Sequence, residues 1–162
     1  MDMQKLLIVL ASLLLVGCAP LETAADSDAT ETPVEDIAAE FRRLRAAKGH
    51  FDGGDWNANL DQWMGLKHQL MIELGAHLGG GGHLGEGGYS EREIVRLLDP
   101  PDAVAREGDG LFDRVSNQAE FQGPAAGTYE LLIYHWRGRH DFLYFVSQEG
   151  TIVSSGWWYA GE

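Results

Sequence analysis

Three short runs near the C-terminus limit the fold of this chain more than any other feature. Tyr129–Arg137, Asp141–Ser147 and Thr151–Trp158 are rich in aromatic and β-branched residues, and their spacing has a period of two. That pattern is the signature of β-strands. Gly138-Arg139 and Gln148-Glu149-Gly150 read as hairpin turns, with Gly150 placed for the left-handed position of a bulged loop. Connections this short predict an antiparallel meander. A sheet with one wet face alternates apolar with polar, yet here both phases are apolar. Leu131 and Ile133 oppose Leu132, Tyr134 and Trp136, and Phe142, Tyr144 and Val146 oppose Leu143 and Phe145. Either both faces are covered, or one keeps an aromatic patch for a partner.

The material to cover a sheet lies upstream. Thr32, Pro33 and Glu35 form a T-x-x-E capping box with proline at the first helical position. Val34, Ile37, Ala38, Phe41 and Leu44 follow at helical spacing, with Ile37, Phe41 and Leu44 as the core face. A second helix is predicted from Asp55–Asn59 to Leu78, with an apolar stripe that includes Leu60, Trp63, Met64, Leu70 and Leu74. Gly79 to Gly88 reads as a glycine-rich loop. A third helix opens on a second capping box, Ser90 with Glu93, and stops at Asp99-Pro100-Pro101. Between 102 and 127 the pattern is weak: Ala103 to Arg106 suits a short strand, and Leu111 to Phe121 a helical turn. With 44% hydrophobic residues and sixteen aromatics (five Trp, five Tyr, six Phe) in 162 residues, one ordinary domain has a real core. The expected class is α+β, two to three helices packed on a three-stranded antiparallel meander. Its helical part spans 32–99 and its strands 128–159 of a single domain, 32–162.

The N-terminus addresses location rather than fold. Lys5 precedes an almost wholly apolar run, Leu6 to Val16, too short to span a bilayer. Leu15-Val16-Gly17-Cys18 then resembles a bacterial lipoprotein signal. The resemblance implies a signal peptide over 1–17, acylation of Cys18 and a membrane held through that anchor. Residues 18–31 are acidic and carry no aromatic, which suits a flexible tether. Ala19 after the cysteine resembles the pattern of lipoproteins sent to the outer membrane, so the expected location is its periplasmic side. The net charge of −13 argues against nucleic acid as a partner. Cys18 is the only cysteine, so no intrachain disulfide can form.

Ser90 to Leu98, Pro101-Asp102, Leu131 to Tyr134 and the Glu149-Gly150-Thr151-Ile152 turn together resemble the SmpA/OmlA (BamE-like) lipoproteins. That family implies two helices on a three-stranded sheet and a role assisting the insertion of β-barrel proteins. The likeness covers about residues 89 to 156. Asp99 stands where the family usually has glycine.

Few residues suggest catalysis. Gly80 to Gly85 matches G-x-G-x-x-G but follows a helix and lacks the βαβ setting that motif needs. Asp55, Asn57, Asn59 and Asp61 alternate like a calcium loop, but Leu60 and Leu66 occupy its glycine and bidentate glutamate places. Glu73 and His77, one helical turn apart, with His83 and Glu86 beyond them, form a weak metal candidate and the basis of an alternative reading as a metal-dependent or hydrolytic envelope enzyme. No cofactor is expected. The preferred reading is a non-enzymatic interaction module that contacts an envelope protein through Tyr134, Trp136, Tyr144, Trp157 and Trp158, with Arg137 and Arg139 at the hairpin tip. Arg137, Arg139 and His140 form a basic tip suited to a carboxylate or phosphate. Small-ligand binding by the same aromatics is a further alternative, and would require a concave cleft.

Overall fold

The computed structural model describes residues 33–80 and 88–160. The signal, the tether, Cys18, Thr32, His83 and Glu86 lie outside the described residues. Helix α1 spans Val34–Arg45, with Pro33 in the N-cap position. Its apolar stripe buries Ile37, Ala38, Phe41 and Leu44, as its period requires. A 3-10 turn follows at His50–Asp52.

The expected second helix is broken in two. Helix α2 covers only Ala58–Asp61, and α3 runs Leu66–Leu78. At the break Gln62 is extended and Met64 has φ of 58°. Gly65 closes the kink because a Cβ there would meet the carbonyls of Ala58 and Gln62. The Met64 N–H, lost to the helical ladder, donates instead to His68 Nδ1 at 3.2 Å. The break lifts Trp63 and Met64 out of the core, which is why the apolar stripe across 60–66 misleads.

Asn57, Asn59 and Asp61 serve this corner as hydrogen-bonding groups, and Asp55 stands exposed. Asn57 caps α2 by accepting the Asn59 N–H. Buried Asp61 accepts the N–H of Asn57 at 2.8 Å and of His50 at 3.0 Å.

Helix α4, Glu91–Leu98, carries the complete Ser90/Glu93 capping box. The sheet contains β1 (Ala103–Arg106), β2 (Glu130–Arg137), β3 (Asp141–Gln148) and β4 (Thr151–Trp158), antiparallel in the order β1-β2-β3-β4. It has four strands, not three, because the short Ala103–Arg106 run pairs with Ile133–Glu130. The β3–β4 loop is also tighter than expected. Gln148 pairs with Thr151, leaving two residues, Glu149 and Gly150, both at positive φ. Such a turn matches the right-handed twist of the strands.

Both sheet faces are covered. On one, Leu132, Tyr134, Trp136, Leu143 and Phe145 pack beneath α1, α3 and α4. Helix α3 lies close because Gly75 meets Leu143, and Ser155 Oγ donates to the Gly75 carbonyl at 2.8 Å. On the other, Leu131, Ile133, Phe142, Tyr144 and Val146 pack under α5 (Gly110–Ser116) and the segment after it, through Phe112, Val115, Phe121 and Tyr129. That segment is tied to the sheet by the Ser154 hydroxyl, which donates to the Gln122 carbonyl.

Candidate functional site

The most distinctive chemistry gathers around Trp136, whose indole is buried and donates from Nε1 to the Leu60 carbonyl at 2.9 Å. Two sites meet there, an aromatic cluster and a charged cleft.

The cluster is built on His68, in the first turn of α3 and fully buried. Its imidazole stacks on Trp136 with centroids 4.1 Å apart, and Trp63 lies at 4.5 Å and Trp157 at 5.0 Å. Since Nδ1 accepts the Met64 N–H, the ring proton belongs on Nε2, which faces the Tyr159 hydroxyl at 3.3 Å. Burial pulls the His68 pKa below its ordinary value, and the nearby Arg137 charge acts in the same direction while Asp141 opposes them. With both ring nitrogens hydrogen-bonded, His68 ties the break before α3 to Tyr159 beyond β4. Around it Trp63 is 54% exposed and Tyr159 40% exposed. Their rings stand 5.3 Å apart, and Tyr159 stacks on Trp157 at 5.5 Å.

The cleft lies between the end of α1 with the loop after it and the β2–β3 hairpin, and encloses about 630 Å³. Lys67, only 5% exposed, lines it, and its Nζ donates to the Trp136 carbonyl at 2.6 Å. Burial lowers the pKa of this ammonium, against the pull of Asp52, Asp102 and Asp61. Arg45 is already engaged, donating to the Leu98 and Pro100 carbonyls and pairing with Asp102 at 2.7 Å. Asp102 also accepts the His135 N–H at 2.8 Å, and its carboxylate stands 3.8 Å from His135 Nδ1. Burial nonetheless holds the His135 pKa below the usual histidine range; Asp102 opposes this, and Arg139, Lys67 and Arg45 reinforce it. Lys48, Arg139 and His140 stand exposed at the rim, and Phe51 supplies an apolar wall. The lining offers cations and rings, and includes no serine, threonine or cysteine among the described residues. Such an arrangement is equipped to hold an anion.

The aromatic contact set expected from sequence divides. Tyr134, Trp136 and Tyr144 are corrected to core residues, since helices or the segment after α5 cover all three. The Tyr134 hydroxyl donates to the Asp99 carbonyl at 3.0 Å, and Tyr144 lies against Phe121. Trp157 and Trp158 are half-buried on opposite faces of β4, Trp158 stacked on Phe142. Arg137 lies over the Trp136 and Phe51 rings and pairs with buried Asp141 at 2.6 Å. Arg139 remains open to a partner at the hairpin tip. Of the metal candidates, Glu73 and His77 lie on α3, whereas His83 and Glu86 fall outside the described residues. Among the described residues no three His, Cys, Asp or Glu side chains gather closely enough for a metal.

Lys67, His68, Trp63 and Tyr159 are the residues that sequence reasoning passes over. One signal exists in hindsight: Lys67-His68 interrupts an otherwise apolar surface of α3, where polar groups need partners. Comparison with protein-family models, curated proteins and solved structures finds no match for this chain.

Proposed function

We propose that this chain is a lipid-anchored, non-enzymatic interaction module of a bacterial envelope. In this reading acylated Cys18 holds it on the periplasmic side of the outer membrane. It docks an envelope protein through Trp63, Tyr159 and the edge of Trp157. The observation that carries the reading is that Trp63 and Tyr159 are half-exposed yet held by ring contacts to buried His68 and Trp136. Large aromatics fixed in advance lose little freedom on docking and are the usual anchors of interfaces. The likeness over 89–156 to SmpA/OmlA lipoproteins makes the β-barrel insertion machinery the first partner to try.

The test is site-specific photocrosslinking in intact envelopes, with the photoreactive residue at 63 or 159 and at exposed Glu93 as control. A single adduct common to 63 and 159 and absent at 93, in a protein whose Cys18→Ala form leaves the membrane fraction, is the expected result. Equal adducts at all three positions, or unchanged membrane partition of Cys18→Ala, would overturn it.

A further inference from the structure

We propose that the cleft between α1 and the β2–β3 hairpin binds a carboxylate carried beside an apolar group, as at a peptide C-terminus ending in an aromatic or aliphatic residue. The inference rests on reading the chain as a binding module and names the ligand class of this site; it needs neither the anchor nor the aromatic rim.

Three observations carry it. First, Lys67 is a buried ammonium that makes one hydrogen bond, to a carbonyl, and no ion pair with a described carboxylate. An ammonium has three donors, and a buried cation ordinarily finds an anion. Second, the cleft gathers Arg45, Lys48, Lys67 and Arg139, four of the twelve lysines and arginines in a chain of net charge −13. Asp102 offsets Arg45, and Asp52 and buried Asp61 both act on Lys67, so the surplus of the four cations over the three carboxylates is close to one positive charge. A surplus of one suits a singly charged carboxylate, whereas a doubly charged phosphate would exceed it with Asp52, Asp61 and Asp102 close by. Third, Phe51, Ala46 and Ala47 place apolar surface beside the cations. A carboxylate with an apolar neighbour satisfies both parts of the lining.

The test is an NMR titration of the full-length chain with N-acetylphenylalanine, with its primary amide and inorganic phosphate as comparators. The acid is expected to shift the His135, Trp136 and Gly138 amide resonances saturably, and the amide to leave them in place. Lys67→Met is expected to weaken the acid at least about tenfold, since it removes a charge-assisted donor. Arg139→Ala, at an exposed position with no effect on packing, is expected to weaken it several-fold and remains decisive if Lys67→Met fails to fold. Equal binding of the amide, tighter binding of phosphate, or no shift with the acid would each overturn the assignment. A negative crosslinking result would leave this titration unaffected, so the two readings fail separately.

Discussion

Replacing His68 by leucine is expected to destabilise the domain by about 2–3 kcal/mol near neutral pH, and the loss should shrink in acid. The magnitude follows from the contacts. Leucine keeps most of the buried volume but removes two hydrogen bonds, from Met64 N–H and to Tyr159, each worth about 1 kcal/mol net. It also leaves the Met64 N–H without its partner and removes the stack on Trp136, which adds a further fraction. The pH dependence follows from protonation. In the unfolded chain His68 gains a proton near its ordinary pKa of about 6.5, whereas in the fold burial delays that step to lower pH. Below about pH 6.5 the unfolded state therefore binds more protons, and wild-type stability falls as pH falls. The leucine variant has no such contribution. Between about pH 7.5 and 5.5 the gap between the two proteins should narrow. His135, whose pKa is lowered in the same way, is present in both and cancels. Urea unfolding followed by tryptophan fluorescence at several pH values measures the gap. A gap that stays constant or widens in acid would refute the neutral, doubly bonded His68.

Two further outcomes follow from named contacts. Ser90→Ala removes the hydroxyl that accepts the Glu93 N–H and donates to the Glu93 carboxylate at the start of α4, and should cost about 1 kcal/mol, a drop of about 3 °C in calorimetric midpoint; an unchanged midpoint would mean the helix is held by Ile94, Leu97 and Leu98 alone. Asp141→Ala removes the carboxylate that pairs with Arg137 and accepts the Ala160 N–H, so it should cost about 2–3 kcal/mol. Faster carboxypeptidase trimming and loss of near-ultraviolet dichroism from Trp157 and Tyr159 are the readouts, and a protected C-terminus would count against this anchor.

How far the fold could be read from sequence depended on whether the relevant interaction was local. Helix α4 was legible because its capping box is a four-residue signal, and the three long strands because their turns are two or three residues. The split between α2 and α3 was not. Trp63 and Met64 continue an apolar spacing, and only the left-handed Met64 and the close approach at Gly65 show that the helix stops. The site suffered from the same problem at longer range. With both phases of β2 and β3 apolar, sequence left open which rings are covered, and the answer lies in Phe112, Phe121 and Tyr129, from a stretch with little periodicity. Arg139 stands exposed and Trp157 and Trp158 are half-buried, while Tyr134, Trp136 and Tyr144 are covered by partners distant in sequence.

The two margins of the sheet share a feature with a bearing on how copies of the chain behave at high density. Strand β1 offers only four residues of outer edge, and just past it Asp102 occupies the next outward N–H of β2, that of His135. At the opposite margin the Tyr89 carbonyl takes the Ile152 N–H, and Ser90 bridges to Thr151, closing the start of β4. Groups of the same chain thus cap the end of β2 beyond β1 and the start of β4, which interrupts the ladder a neighbour would need to zip on. Many molecules could therefore stand shoulder to shoulder and remain separate units instead of merging into a shared sheet.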